Sequence, residues 1–205
     1  RDYSAAQARG TRTFWLFTAG DFLVAMLGTA LIFHHYSIMA GSGLSRVEAA
    51  TVFVPIAAAT AAANLLGGAL MDRLPPRILL SGSQLLQAGT LLLAALIVGP
   101  GPMLLYGAML GATQGFNAAI KASVHAHYFG RRHIGAIKGF ASTLSVAGTS
   151  LGPLVVALGF DAVGSYAPVL LACALLPLLL AAGLGIAAAV FRHGQRLTED
   201  VAGLV

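Results

Sequence analysis

The chain has 205 residues, of which 58% are hydrophobic and only 9% are charged. Its mean hydropathy is +0.83, whereas about a quarter of the residues of a typical soluble domain are charged. This composition excludes a soluble globular domain and indicates an integral membrane protein. The formal charge of +5 does not indicate a nucleic-acid partner, because the basic residues lie in short loops between apolar segments, where they orient a membrane protein.

Six apolar segments follow one another along the chain. Each is long enough to cross a bilayer as a helix, which takes about 20 residues. Backbone polar groups in lipid must be hydrogen-bonded within the segment, and these runs are too long for barrel strands, so an all-α fold is predicted. The predicted spans are 14–40, 47–71, 77–99, 103–122, 134–158 and 166–191.

The sequence also predicts how the domain lies in the membrane. Short loops make neighbouring helices antiparallel, so alternate loops fall on opposite sides. Of the 12 Lys and Arg residues, Arg46 alone falls on one side. By the positive-inside rule both termini are cytoplasmic. We therefore expect a cytoplasmic lead-in (1–13), a six-helix transmembrane domain (14–191) and a cytoplasmic tail (192–205) in the cell membrane.

A charged turn joins the second and third spans. A charge at the bilayer centre costs about 2.5–3.5 kcal/mol, so Asp72, Arg73 and Arg77 must lie at a membrane surface. The spacing Gly68-x-x-x-Asp72-Arg73, with Arg77 at the last basic position, resembles the loop signature of the major facilitator superfamily, although two prolines replace its usual glycine and one base. The resemblance implies that Asp72 and Arg73 belong to a charge network that holds one conformational state.

Further motifs resemble the second half of such carriers. The run Gly148-Thr149-Ser150-Leu151-Gly152-Pro153 resembles the glycine-rich motif of the fifth helix of a half, and residues 128–139 resemble the loop after the fourth helix in monocarboxylate and oxalate/formate carriers. This resemblance implies a C-terminal half built from two inverted three-helix repeats. The implied partners are a small-molecule substrate, the lipid bilayer and an N-terminal six-helix half outside this chain.

Small residues recur where helices are expected to pack closely. Gly107, Gly111 and Gly115 follow one another at intervals of four residues in the fourth span, which places them on one helix face. In the fifth span, the resemblance implies that Gly148, Gly152 and Pro153 allow close contact and bending.

Polar side chains inside spans are candidates for the substrate pathway. Asp21 lies about 10 Å along the first helix at 1.5 Å per residue. Two interpretations remain open: a proton-accepting carboxyl whose charged form is disfavoured by burial, or a structural acid paired with a base of the absent half or held neutral by nearby carbonyls. Gln114, Asn117 and Lys121 share one face of the fourth helix, although Lys121 could simply extend to the membrane surface.

The remaining pathway candidates are His34 in the first span and Ser145 and Thr149 in the fifth. His34 is either a gate or substrate contact or an interfacial residue, and the hydroxyls can bond a substrate carboxylate or a neighbouring carbonyl. His125, His127 and His133 lack a cysteine or well-placed acid to complete a metal site. We therefore expect no metal, no cofactor and no catalytic group.

These patterns predict a secondary active transporter rather than an enzyme. It would move a small organic solute, in particular a monocarboxylate-like anion, by alternating access, with proton coupling as an option. The alternatives are a membrane interaction module that does not transport, and a half-carrier that works only as an assembled dimer.

Overall fold

A computed structural model describes the backbone of residues 2–202 and the side chains of residues 2–184. All regular structure within this part of the chain is helical, which confirms the predicted all-α class. The helices are α1 (Ala5–Arg9), α2 (Arg12–Phe33), α3 (His35–Gly41), α4 (Arg46–Thr51), α5 (Phe53–Met71), α6 (Pro76–Leu96), α7 (Met103–Phe129), α8 (Ile134–Val163) and α9 (Tyr166–Ala202).

Five stretches of the described chain are long and apolar enough to cross a membrane: Arg12–Phe33, Arg46–Met71, Pro76–Leu96, Ile134–Val163 and Tyr166–Leu184. The second of them comprises α4 and α5. Helix α7, the fourth predicted span, has 27 residues and is long enough as well. Its sequence is less apolar than the others because it carries several polar side chains in its middle.

Several helices begin or end at other residues than the predicted spans. The first span is divided at His34, where α2 ends and α3 begins. Helix α7 continues past 122 to Phe129 and α8 past 158 to Val163, and each stops at a glycine with positive φ, Gly130 (78°) and Gly164 (74°). Helix α9 also continues past 191, and the predicted tail's side chains lie outside the described residues. A positive φ favours glycine, so these glycines rather than the nearest polar residues end the helices.

The long helices pack in three main pairs: α5 with α7, α2 with α8, and α6 with α9. In span order these pairs join the second to the fourth, the first to the fifth and the third to the sixth. If the first span is exchanged with the fourth, the second with the fifth and the third with the sixth, the same three pairs result. Such internal symmetry is expected of two related three-helix repeats.

Two of these pairs are held at close range by glycines. A Cβ on Gly111 of α7 would collide with the backbone of Ile56, and a Cβ on Gly152 of α8 would collide with the backbone of Met26. Gly107, Gly115 and Gly148 face their partner helices with similarly little room. Helix backbones approach this closely only where a side chain is absent.

The two ends of the bundle differ in charge. We call the end formed by residues 2–13, 72–77 and 125–138 the basic end, and the end formed by residues 34–46, 97–103 and 160–166 the far end. At the basic end, Asp2 Oδ1 accepts hydrogen bonds from the backbone N–H groups of Arg131 (3.2 Å) and Arg132 (3.4 Å). The lead-in therefore packs on the α7–α8 loop.

Candidate functional site

An ion pair between a buried carboxylate and a partly exposed ammonium joins α2 and α7. The Nζ atom of Lys121 is 2.9 Å from Oδ2 of Asp21, and the two side chains are 36% and 10% exposed. Removing charges from water is costly unless they are paired and hydrogen-bonded. The Asp21 carboxylate is thus neutralised by Lys121. The Lys121 ammonium is partly exposed and can still bind another ligand.

Two neutral side chains complete this site. Asn117 Nδ2 donates to the other carboxylate oxygen, Oδ1 of Asp21, at 2.9 Å. Lys121 Nζ also donates to Oγ of Ser145 at 3.2 Å. We call Asp21, Asn117, Lys121 and Ser145 the polar cluster. It joins α2, α7 and α8, so a change in its charges acts on three helices at once.

Local helix geometry explains this arrangement. Asn117 and Lys121 are one turn apart on α7 and therefore point the same way. In the described structure Asp21 pairs with a base of its own chain, and the Lys121 side chain turns to Asp21. The cost of leaving a carboxylate unpaired among helices favours this geometry.

Gln114 lies about one turn from Asn117 on the far side of the cluster. Its amide packs directly on Gly28 of α2, where a Cβ would collide with Nε2. The side chain is partly buried. Gly28 carried no signal of its own in the sequence, because its role depends on which face of α2 meets α7.

His34 connects three helices near the far end. Its Nε2 donates to the carbonyl oxygen of Pro153 in α8 at 3.0 Å, and its Nδ1 accepts from the hydroxyl of Tyr166 in α9 at 3.3 Å. His34 is 9% exposed. Through these two bonds His34, at the break between α2 and α3, links α8 and α9 to the end of α2.

Thr149 is not part of the polar cluster. Its Oγ1 donates to the carbonyl of Val146, in its own helix, at 2.7 Å. This local bond is common for threonine within helices. The structure therefore separates Thr149 from Ser145, one turn away, which does join the cluster.

The charged turn lies at the surface of the basic end. Asp72 and Arg73 are exposed, and Asp72 makes no ion pair with the described side chains. Arg77 Nη2 donates to Oγ1 of Thr13 at 3.4 Å. In α5, just before this turn, the glycine that packs on α7 is Gly67, where a Cβ would lie 2.7 Å from Cβ of Ala119, whereas Gly68 faces open space.

A second polar layer lies behind the cluster, on α6. Gln84 Nε2 donates to the carbonyl oxygen of Gly20, next to Asp21, at 3.2 Å. Gln87 is 0% exposed, and neither amide atom of it has a partner among the described residues. The sequence analysis did not assign these residues to the site, although two glutamines one turn apart in an apolar helix are a visible signal.

The described residues hold no group of three or more His, Cys, Asp or Glu side chains suited to a metal ion. A cavity of about 640 Å³ opens at the far end, next to Ser42, Ser165 and Tyr166, and no charged side chain lines it. The charges available for chemistry are therefore found in the polar cluster and not in this cavity.

A comparison of the sequence with family models identifies the family of the chain. The model of the Major Facilitator Superfamily matches residues 13–202. The chain belongs to the major facilitator superfamily. No curated protein sequence matches it. Because it belongs to this superfamily and has several apolar helices, the chain is a multi-pass membrane protein of a transporter family. Members of such a family bind small-molecule substrates and lie in the lipid bilayer.

Proposed function

We propose that the chain is the C-terminal six-helix half of a secondary active transporter that moves a small organic anion by alternating access. The observation that carries this proposal is the Asp21–Lys121 ion pair, whose buried carboxylate and partly exposed ammonium lie between two apolar helices and which is attached to a third helix through Ser145. Ionisable groups at such depth are costly, which makes them candidates for a substrate or proton site.

The pair suggests how an anion would bind. Lys121 already has a carboxylate partner, so a substrate carboxylate must compete with Asp21 for the ammonium. An unpaired buried carboxylate is strongly unfavourable, whereas a protonated one is not. Protonation of Asp21 therefore frees Lys121 for the substrate, and binding of the anion favours protonation of Asp21. This exchange couples one proton to one negative charge.

The number of bases favours a singly charged substrate. Lys121 is the base that contacts Asp21, and the other basic side chains described lie towards the ends of the helices. A dicarboxylate would bring a second negative charge that this half does not balance. A monocarboxylate is thus the substrate class that fits best. Asn117, Ser145 and Gln114 would supply neutral hydrogen-bonding groups, and His34 would link the helices near the far end.

The partner half would cover two exposed helices. In Arg46–Met71 and in Ile134–Val163, 17% of the most apolar window is buried, compared with 56% in Arg12–Phe33. These two spans, the second and fifth, are equivalent under the internal symmetry. An N-terminal half could pack on both and complete the substrate site. A second copy of this chain could pack on the same two spans, so a half-carrier that works as a dimer is one alternative. A membrane module that does not transport is the other.

Charge favours one orientation. The basic end carries Arg9, Arg12, Arg73, Arg131 and Arg132, whereas the far end carries Arg46. By the positive-inside rule, the basic end and residues 1–13 and 192–205 would then lie in the cytoplasm. The membrane would be the cell membrane.

The test is transport by the full-length protein in proteoliposomes. Labelled acetate, lactate and pyruvate are compared with the dicarboxylate succinate and with neutral glycerol, with and without a proton gradient. We expect the gradient to drive accumulation of at least one monocarboxylate. Absence of uptake and of exchange for every monocarboxylate, with correctly folded protein, would contradict the proposal. Activity of residues 1–205 alone would support the dimeric alternative instead.

A further inference from the structure

A groove at the basic end lies outside the site described above. It has a volume of about 450 Å³ and is lined by residues 9–12, which join α1 to α2, and by Trp15, Leu16 and Ala19 of α2. Among the described residues, none that lines it belongs to α5 or α8, the two helices on which another half would pack. The groove is therefore separate from the face proposed for that half.

The groove and the polar cluster lie on different sides of α2. Ala19 lines the groove and is exposed, whereas Asp21, two residues later, is buried and pairs with Lys121 of α7. At 3.6 residues per turn, two residues are about 200° apart around a helix. The groove thus opens away from the ion pair, and a ligand in it would not occupy the substrate site.

The groove is basic at one end and apolar at the other. Arg9 and Arg12 are exposed, and no acidic side chain is among the residues that line it. Arg12 makes no ion pair with the described residues. Ala19 lies seven residues beyond Arg12, about 10 Å deeper along the helix. Beyond the arginines, the groove is lined by the indole of Trp15, by Leu16 and by Ala19.

The walls of the groove are held in place by the rest of the chain. Trp15 Nε1 donates to the carbonyl oxygen of Arg9 at 2.7 Å, although the Trp15 side chain is 48% exposed. The guanidinium carbon of Arg9 lies 5.0 Å from the centroid of the Phe140 ring, and the hydroxyl of Thr11 caps the start of α2. A ligand therefore meets side chains that are largely ordered before it binds, which lowers the cost of binding.

We propose that this groove binds an anionic phospholipid. The headgroup phosphate lies between Arg9 and Arg12, and the first part of an acyl chain lies along Trp15, Leu16 and Ala19. Guanidinium groups match the geometry of phosphate oxygens, and tryptophan is enriched where a membrane meets water. A free anion in water would use the two arginines but not the apolar wall below them. The proposal does not depend on which solute the protein transports.

The test measures lipid binding to the full-length protein in detergent. Bound phosphatidylglycerol and bound phosphatidylcholine are counted by native mass spectrometry as each lipid is titrated. A base near an anionic lipid strengthens binding roughly fivefold, so two bases give a preference for phosphatidylglycerol of roughly 25-fold. We expect Arg12→Gln to weaken phosphatidylglycerol binding by roughly fivefold and Arg9→Gln/Arg12→Gln to remove the preference.

The matched control is Arg131→Gln/Arg132→Gln. It removes two exposed charges from the same end of the bundle but outside the groove, and the bonds to Asp2 are kept because they use backbone N–H groups. We expect this variant to keep most of the preference. An equal loss in both double variants would show that charge acts diffusely and would overturn the site.

Two further results would overturn the proposal. One is a wild type that binds both lipids equally. The other is inorganic phosphate that competes with phosphatidylglycerol as strongly as a short-chain phosphatidylglycerol does, since the groove would then recognise the phosphate alone. Because Arg9 packs on Phe140, its replacement can disturb folding, which the melting temperature in phosphatidylcholine reports. In that case Arg12→Gln decides alone: a roughly fivefold loss supports the site, and unchanged binding overturns it.

Discussion

Lys121 Nζ and Asp21 Oδ2 lie 2.9 Å apart and join the first helix of one three-helix repeat to the first helix of the other. These two helices are exchanged by the internal symmetry of the domain. In the described structure the pair neutralises both charges. It also makes the contact between the two repeats sensitive to the charge of whatever occupies the site.

The first prediction concerns the base of the pair. Lys121→Gln removes the positive charge that would hold a substrate carboxylate and leaves Asp21 buried without its partner. We expect affinity for the monocarboxylate to fall by about 10-fold or more, since hydrogen bonds to charged groups contribute about 1.5–3 kcal/mol. Binding is measured by calorimetry or by the rise in melting temperature that the substrate causes. Lys138→Gln is the control, because that ammonium donates to the backbone carbonyl of Ala122.

Stability gives a second measurement on the same residues. Breaking a buried pair by removing one partner costs up to about 3–5 kcal/mol, and the partial exposure of Lys121 (36%) places the cost lower. We expect Lys121→Gln to lower the melting temperature in detergent and the double variant Asp21→Asn/Lys121→Gln to recover part of the loss. Additive effects of the two changes would show that the pair does not interact.

The third prediction concerns helix packing. Gly111→Ala places a methyl group against the backbone of Ile56, which cannot move away as a flexible side chain can. We expect a clear fall in melting temperature. Gly68→Ala is the matched control, since a Cβ there meets open space and alanine favours a helix by about 1 kcal/mol over glycine. Equal melting temperatures for the two variants would contradict the packing.

Orientation is tested by labelling. In a Cys173→Ser background, a cysteine replacing exposed Arg132 at the basic end should react with an impermeant maleimide only after the cells are opened. A cysteine replacing Val98, which is 81% exposed at the far end, should react in intact cells. The reverse pattern would place the basic end outside.

The fifth prediction concerns Asp72. This exposed carboxylate has no ion pair with the described residues, so under the proposed function its partner would lie in the other half of the carrier. We expect Asp72→Asn to reach the membrane normally and to slow transport at least several-fold in the full-length protein. Asp161→Asn, also exposed, is the control. Normal transport by Asp72→Asn would limit the turn to a role in topology.

Composition and hydrophobic length were sufficient to predict the all-α membrane class and the order of six long helices. The partners of polar residues were not predictable, because they depend on how each helix is rotated. Asp21 was predicted to lie inside the membrane and is 7% exposed in the bundle, yet its bond to Lys121 requires α2 and α7 to face each other there. The helix ends were not predictable for a local reason. Polar residues such as Lys121 suggested the end of α7, but the helix continues as far as Gly130.

The most direct test of the central claim, that protonation of Asp21 frees Lys121 for the substrate anion, is transport by Asp21→Asn across a pH step. Asparagine cannot compete as a carboxylate, so Lys121 is available to the anion at every pH. In proteoliposomes with the full-length protein, we predict that gradient-driven accumulation is lost while exchange of substrate for substrate is retained and no longer depends on pH. Accumulation that survives with unchanged pH dependence would contradict the claim and would leave Asp21 as a structural acid.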